Sequence, residues 1–265
     1  MRVGDIEVGK CIGESSKIRI YLGTTKDMKP VILKIAKTFE DGKALAEEAG
    51  EFNILHSFSR QVAEFEANRN GNSAHYDWLF ARLLSSRMEP TQGDRRINVF
   101  SIPDVDLSEL IPLSKLYDDV EIDVRTSIWI LGRLLKFYMF FELLAVEKEE
   151  FVARYPIFSP DDYLIAPEKH RLVYYNFSGD MTDVVAFDYV KAVAEFVSSW
   201  VIHREDPLEQ EYLELLRDLS RFGRETFERA HRELYKLVKK NWGIKYYPFT
   251  YCKRGTVVWK KIKED

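Results

Sequence analysis

Two adjacent carboxylates, Asp161 and Asp162, follow Pro160 in a polar turn that leads into the apolar run YLIA. A carboxylate in such a turn can accept a proton or bind a divalent cation. It can equally cap the turn through its own backbone. Asn176, after a second apolar run, offers a carboxamide oxygen, which is a weaker ligand for a hard cation. Asp161 and Asp162 are therefore candidates for chemistry, with a structural role in the turn as the alternative.

The elements that must position these residues change in character near the middle of the chain. Alternating β-branched and apolar residues in IRIYLGTT and VILKIA predict three antiparallel strands between Asp5 and Ala36. An Ala- and Glu-rich helix is predicted from about Asp41 to Phe58, and WLFARLLSS and RRINVFS predict two more strands. Residues 1–102 are thus expected to form a five-stranded antiparallel sheet with one main helix.

A boundary between two lobes is expected at Ser101 to Asp106, after which the pattern is mostly helical. The segment Thr126 to Val146 is apolar around most of its circumference but contains charged residues such as Arg133 and Glu142. Charges are costly at bilayer depth, so we predict a buried helix there and no membrane span. The remaining predicted elements are a strand pair within 163–175 and helical segments over 188–201 and 208–241. The fold class is therefore α+β, with a mostly helical second lobe at 103–265.

This order of elements resembles the protein-kinase fold, and the first lobe carries matching residues. VILK matches the family's V-A-I-K strand, whose lysine holds the ATP phosphates and pairs with a helix glutamate. Lys34 stands at that lysine and Glu51 at that glutamate, although each alone could be an ordinary surface residue. GESSKIRI aligns with the family's glycine-rich turn, which has three glycines. Only Gly13 is a glycine here, since Ser15 and Ile18 stand at the other two positions. The resemblance implies a nucleotide site at Gly13, Ser15, Lys34 and Glu51.

The second lobe resembles a kinase catalytic region that has lost its reactive groups. The family's H-R-D-L-x-x-x-N and D-F-G motifs fall on YPIFSPDD and NFS. The catalytic carboxylate is replaced by Ile157, the loop lysine by Ser159 and the Mg²⁺-binding aspartate by Asn176. Asp162 stands at the asparagine that serves the second metal ion. The resemblance thus implies ATP with Mg²⁺ as the cofactor, held by Asp162 and Asn176 with their usual places exchanged.

The spacing after Asn176 argues against ordinary protein phosphorylation. Only eleven residues separate Asn176 from Asp188, which already begins a helical pattern, and no A-P-E follows. These eleven residues are too few to form the segment that holds a peptide substrate in the family. RRINVFS, DVRTSIWILGRLL and WGIKYYPF are similar in order and spacing to divergent kinase-like proteins of bacteria and their phages, some of which are linked to a J-domain.

Composition limits the partners and the cellular location. The formal net charge of the 265 residues is −4, which gives no overall field for nucleic acid. The aromatic C-terminal segment could stack nucleobases, but we interpret it as a terminal strand on the helical lobe. The two cysteines have no metal or disulfide spacing and the N-terminal stretch has no secretory pattern, so a cytoplasmic protein is expected.

Two functions follow from the sequence. The preferred one is a pseudokinase-like binding, scaffold or regulatory protein with protein partners and residual nucleotide binding. The alternative is an atypical ATP-dependent phosphotransferase in which Asp161 or Asp162 supplies the missing group. The two differ in whether either aspartate faces the cleft within reach of Lys34.

Overall fold

The computed structural model of the protein describes residues 2–70, 75–106, 109–149, 153–176, 181–182, 186–201, 207–243, 248–256 and 258–261. Its first half contains a six-stranded sheet in the order β1-β2-β3-β4-β6-β5, in which all neighbours are antiparallel. The strands are β1 (Arg2–Val3), β2 (Ile6–Glu14), β3 (Ile18–Thr24), β4 (Pro30–Ala36), β5 (Arg82–Glu89) and β6 (Arg95–Ser101). The five predicted strands are confirmed, and the two-residue β1 adds a sixth.

Strand β4 is buried on both faces because its apolar residues serve two separate clusters. Val31, Leu33 and Ile35 pack into a small cluster on one face. Ile32 on the other face joins the main core. Successive side chains of a strand point to opposite faces, so Lys34 lies on the same face as Ile32.

Helix α1 (Gly42–Asn70) packs against the sheet and the second half of the chain. Its buried apolar residues lie at helical spacing and are Leu45, Ala49, Phe52, Leu55 and Val62. The helix continues well beyond the predicted end at Phe58. The extension has a physical reason: RQVAEFEANRN contains neither Gly nor Pro and is rich in helix-forming residues.

The second half contains five helices among the described residues, and short strand pairings join them. Helix α3 is the predicted buried helix, and 14 of its residues are buried. The helices are α2 (Leu113–Asp119), α3 (Val124–Glu147), α4 (Ala186–Ser198), α5 (Pro207–Phe222) and α6 (Phe227–Asn241). The strands are β7 (Ile111–Pro112), β8 (Val120–Ile122), β9 (Tyr155–Pro156), β10 (Tyr163–Ala166), β11 (Arg171–Tyr174), β12 (Met181–Thr182), β13 (Thr250–Lys253) and β14 (Trp259–Lys261). The predicted strand pair is confirmed as β10 and β11, which are antiparallel.

The helical periodicity over 208–241 is interrupted at Gly223. This residue has a φ of 60°, and a Cβ there would clash with the backbone of Phe187. Glycine accepts this conformation at no steric cost, so α5 ends at Phe222 and α6 begins at Phe227, four residues after Gly223. The Thr226 side chain caps α6 by accepting a hydrogen bond from the Arg229 amide at 3.1 Å.

The start of α6 is also held by a carboxylate from another helix. Glu142 of α3 accepts hydrogen bonds from the backbone amides of Phe227 at 2.6 Å and Glu228 at 3.0 Å. It also accepts one from the Tyr155 hydroxyl at 3.2 Å. Burial raises the pKa of Glu142, and the two backbone hydrogen bonds oppose that rise. One side chain therefore joins α3 to α6 and satisfies two amides that a helix start leaves unpaired.

The main hydrophobic core is continuous from the sheet to the helical half. It includes Ile32 and Phe52 from the first half together with Phe137 and Tyr174 from the second. Near the C-terminus, Phe249 is buried and β13 pairs with β8, as expected of a terminal strand on the helical half. The fold is thus α+β, as predicted, and its division at residues 102 and 103 stays a prediction. No helix in the described ranges is long and apolar enough to cross a membrane.

Candidate functional site

Lys34 is the centre of a buried polar network. Its side chain is fully buried on the face of β4 that α1 covers. Its ammonium group forms an ion pair with Glu48 of α1 and donates a hydrogen bond to Asn176 Oδ1 at 3.0 Å. Burial lowers the pKa of Lys34, and the Glu48 carboxylate opposes that shift. A buried ammonium group without partners would cost several kcal/mol of stability, so Glu48 and Asn176 are what allow Lys34 to be buried.

The helix partner of Lys34 is Glu48, and the prediction of Glu51 is wrong. Glu48 lies in the stripe of α1 that contains Leu45 and Phe52, and it is 2% exposed. Glu51 is half-buried and lies three residues later, about 60° from Glu48 around the helix axis and at the edge of the apolar stripe. The apolar stripe of α1 was the signal that could have identified Glu48 from the sequence.

Asn98 of β6 supports Glu48 from the opposite side and was not anticipated. Its fully buried amide donates hydrogen bonds to Glu48 Oε2 at 3.0 Å and to the Leu45 carbonyl at 2.8 Å. In the sheet, Asn98 is the register partner of Lys34. The ion pair is therefore positioned by two neighbouring strands, β4 and β6, and by helix α1.

Asp162 closes the other end of the network. It belongs to a 3-10 turn over Pro160–Asp162, which begins with the Asp161 amide bonded to Ser159 Oγ at 3.3 Å. The Asn176 amide donates to Asp162 Oδ1 at 2.6 Å, and Asp162 is 4% exposed. Burial raises its pKa to about 6, against the opposing effects of Asn176 and Lys34.

The orientation of Asn176 does not fit a metal ion held between Asn176 and Asp162. Asn176 turns its NH₂ group toward Asp162 and its oxygen toward Lys34. A flipped amide would set oxygen against carboxylate and NH₂ against ammonium, so the partners fix this orientation. The two side chains therefore do not direct two oxygens to one point, as Mg²⁺ requires. Within the described ranges, no group of three or more His, Cys, Asp and Glu residues could hold a metal ion.

The turn between β2 and β3, which carries Gly13 and Ser15, already uses its own amides. Ser15 Oγ accepts hydrogen bonds from the Ile18 amide at 3.1 Å and the Lys17 amide at 3.3 Å. The Ser15 amide in turn donates to the Ile18 carbonyl at 2.9 Å. A phosphate group would have to compete with these bonds for the backbone donors it needs.

Tyr175 fills the space between the Gly13 strand and Lys34. A Cβ placed on Gly13 would lie 3.8 Å from the Tyr175 hydroxyl oxygen. The Lys34 ammonium lies 5.3 Å from the ring centroid of Tyr175 and 5.3 Å from that of Phe100, within the range of cation–π attraction. Tyr175 is only 3% exposed. Its role was missed because it depends on contacts between distant parts of the chain.

The two aspartates differ in position. Asp161 is exposed and lies outside the network, whereas Asp162 reaches Lys34 through Asn176. Ile157, at the place of the catalytic carboxylate in the resemblance, is 45% exposed. The structure therefore brings together Lys34, Asn176 and Asp162 of the predicted residues, and leaves Asp161 and Glu51 outside the network.

The charge of Asp162 should be visible in the pH dependence of stability. Its pKa is raised from 3.8 to about 6, so the folded state binds this proton more tightly than the unfolded chain does. Its stabilising contribution is complete below about pH 4 and is lost as the pH rises through about 6. Asp162→Asn keeps an oxygen for Asn176 and removes the charge. We expect it to raise the free energy of unfolding by at most about 3 kcal/mol at about pH 8 and to change little at about pH 4.

Urea unfolding of both proteins across this pH range would measure the difference. Asp161→Asn is the matched control because Asp161 is exposed, so its effect should be small at every pH. An effect of Asp162→Asn that stays the same from about pH 4 to about pH 8 would contradict the assignment.

Together, the fold and site define an α+β chain with a buried polar network whose members pair with one another. In comparisons with known proteins, no family model and no curated protein matches the chain. The resemblance to kinases therefore stays a prediction from the sequence.

Proposed function

We propose that the protein is a pseudokinase-like binding or regulatory protein that acts through protein partners. Its frame is a bilobal protein-kinase-like fold, with an N-lobe at 1–102 and a helical C-lobe at 103–265. The order of strands and helices supports this proposal, as does the buried pair of Lys34 on a central strand with Glu48 on the main helix.

One observation carries the functional proposal: both Lys34 and Asp162 are bound by side chains of the protein itself. Glu48 and Asn176 bind the ammonium group, and Asn176 also binds Asp162. In an active kinase the lysine keeps its glutamate and also holds phosphate, and the residues at the positions of Asn176 and Asp162 face Mg²⁺ rather than each other. Here a ligand would have to break buried hydrogen bonds and displace Tyr175, so ATP with Mg²⁺ is not the expected resident cofactor.

The proposal predicts a specific response to Asn176→Asp. In this variant a second carboxylate lies beside Asp162, where the two oxygens can hold a divalent cation or must share a proton. We expect Mn²⁺ or Mg²⁺ with ATP to raise the midpoint of thermal unfolding of the variant. The wild type should show no such rise and no heat of ATP binding in calorimetry.

Asn176→Ala is the control, because it opens the network without adding a carboxylate. Metal-dependent ATP binding by the wild type, lost in Lys34→Ala, would show that the network opens to a nucleotide. Turnover of ATP at ordinary kinase rates, lost in Lys34→Ala, would overturn the pseudokinase proposal. A shift of equal size in Asn176→Ala and Asn176→Asp would show that a second carboxylate plays no part.

A second candidate function, an atypical phosphotransferase, has one observation in its favour. Asp162 reaches Lys34 through Asn176, and its raised pKa is near the range of a general base at neutral pH. Its burial and its hydrogen bond from Asn176 oppose this role. Slow transfer of phosphate from ATP that is lost in Asp162→Asn but kept in Asp161→Asn would support this function over the first.

A further inference from the structure

A groove of about 740 Å³ lies between the second half of α1, the segment 75–82 and Pro103. Its volume is within the usual range for small-molecule sites. Ala63 and Ala67 lie one turn apart on the α1 side, and their short side chains leave space there. Among the described residues that line it, none belongs to the Lys34 network. This α1 groove is therefore a separate feature of the molecule.

A hydrogen bond from His56 brings two arginines to the α1 groove. His56 Nε2 lies 3.0 Å from the Ala81 carbonyl oxygen and donates to it. Arg60 follows His56 by one helical turn, and Arg82 directly follows Ala81. The bond therefore fixes two guanidinium-bearing positions, one on α1 and one on β5, at the same groove.

The charges of the α1 groove favour an anion. In the described ranges, neither Arg60 nor Arg82 makes an ion pair or a side-chain hydrogen bond. Two carboxylates, Glu64 and Asp77, also line the groove, but Asp77 interacts electrostatically with the guanidinium of Arg171. Glu64 is then the one lining carboxylate in these ranges with no charged partner. The net charge of −4 gives no general attraction for anions, so any attraction must be local.

We propose that the α1 groove binds a small oxyanion, a phosphate or a carboxylate, between Arg60 and Arg82. Guanidinium groups match both anions because their planar fork donates two parallel hydrogen bonds. The Ser57 hydroxyl donates to the Ile54 carbonyl at 2.8 Å, and the hydroxyl of buried Ser59 donates to the His56 carbonyl at 2.9 Å. Both hydroxyls are thereby committed to the helix, so the two arginines are the anion's principal donors. This inference is independent of the proposed function.

Titration of the full chain with inorganic phosphate and with succinate, at constant ionic strength, tests the site and separates the two anions. We expect saturable binding of at least one of them, observed by NMR or calorimetry. Arg60→Ala and Arg82→Ala should each weaken it about tenfold or more. Glu64→Gln should strengthen binding because it removes a repelling charge, and Arg60→Lys should fall between the wild type and Arg60→Ala.

Arg217→Ala is the matched control, since Arg217 is an exposed arginine on α5 and removing it changes the net charge equally. Unchanged affinity in this control, with loss in the two groove variants, would confirm the site. Equal weakening in all three variants, weaker binding in Glu64→Gln, or no saturable binding of either anion would overturn it.

Discussion

Glu48→Ala is expected to lower the free energy of unfolding by about 3–5 kcal/mol, the usual cost of leaving a buried charge without its partner. Glu48 is 2% exposed and Lys34 is fully buried, so water cannot replace the lost carboxylate. Asn98 would also lose one of the two acceptors of its amide. Urea unfolding of the variant and the wild type would measure the loss.

Glu51→Ala is the matched control on the same helix, and it should cost less than about 1 kcal/mol because Glu51 is half-buried. The double variant Lys34→Met with Glu48→Ala should cost less than Glu48→Ala alone, since no buried charge is then left without a partner. A larger loss in Glu51→Ala than in Glu48→Ala would contradict the pairing. Additive losses in the double variant would show that the two residues do not stabilise each other.

Glu142→Ala is expected to lower the free energy of unfolding by about 3–4 kcal/mol, because three hydrogen bonds to a charged group are lost together. The amides of Phe227 and Glu228 and the hydroxyl of Tyr155 would lose their acceptor in a part-buried region. The favourable position of a negative charge at the start of α6 is lost as well. Chemical unfolding would measure the total.

Amide hydrogen exchange distinguishes this cap from general destabilisation. Phe227 and Glu228 should lose protection in Glu142→Ala beyond the loss seen in the rest of α6. Thr226→Ala is the comparison, because it removes the acceptor of the Arg229 amide and should cost about 1 kcal/mol. If Phe227 and Glu228 keep their protection in Glu142→Ala, Glu142 does not cap α6.

Much of the secondary structure could be predicted from local patterns. Alternation in VILKIA predicted β4, and the nearly all-apolar run at 126–146 predicted the buried helix α3. The ends of the elements were less predictable. Helix α1 continues past the predicted end at Phe58 through a mostly polar stretch, where no apolar pattern indicates whether the helix continues. The break at Gly223 depends on its close approach to Phe187.

The site was predictable only in part, for a physical reason. Lys34, Asn176 and Asp162 could be found from their order and residue type. Glu48 required the buried face of α1, which spacing from the motif alone did not reveal. Tyr175 and Asn98 act through contacts between residues far apart in the sequence, and a single chain without its fold gives no sign of such contacts.

The Asn176 amide also bears on how such a site can change over evolutionary time. A codon for asparagine becomes one for aspartate by a single base substitution, so the change is readily reached. Without a cation, that change replaces a donor 2.6 Å from Asp162 Oδ1 with a like charge. The first mutational step toward a metal site would therefore reduce stability before any activity could be selected. The hydrogen bond from Asn176 to Asp162 therefore makes the change to aspartate less accessible to selection than a single base substitution suggests.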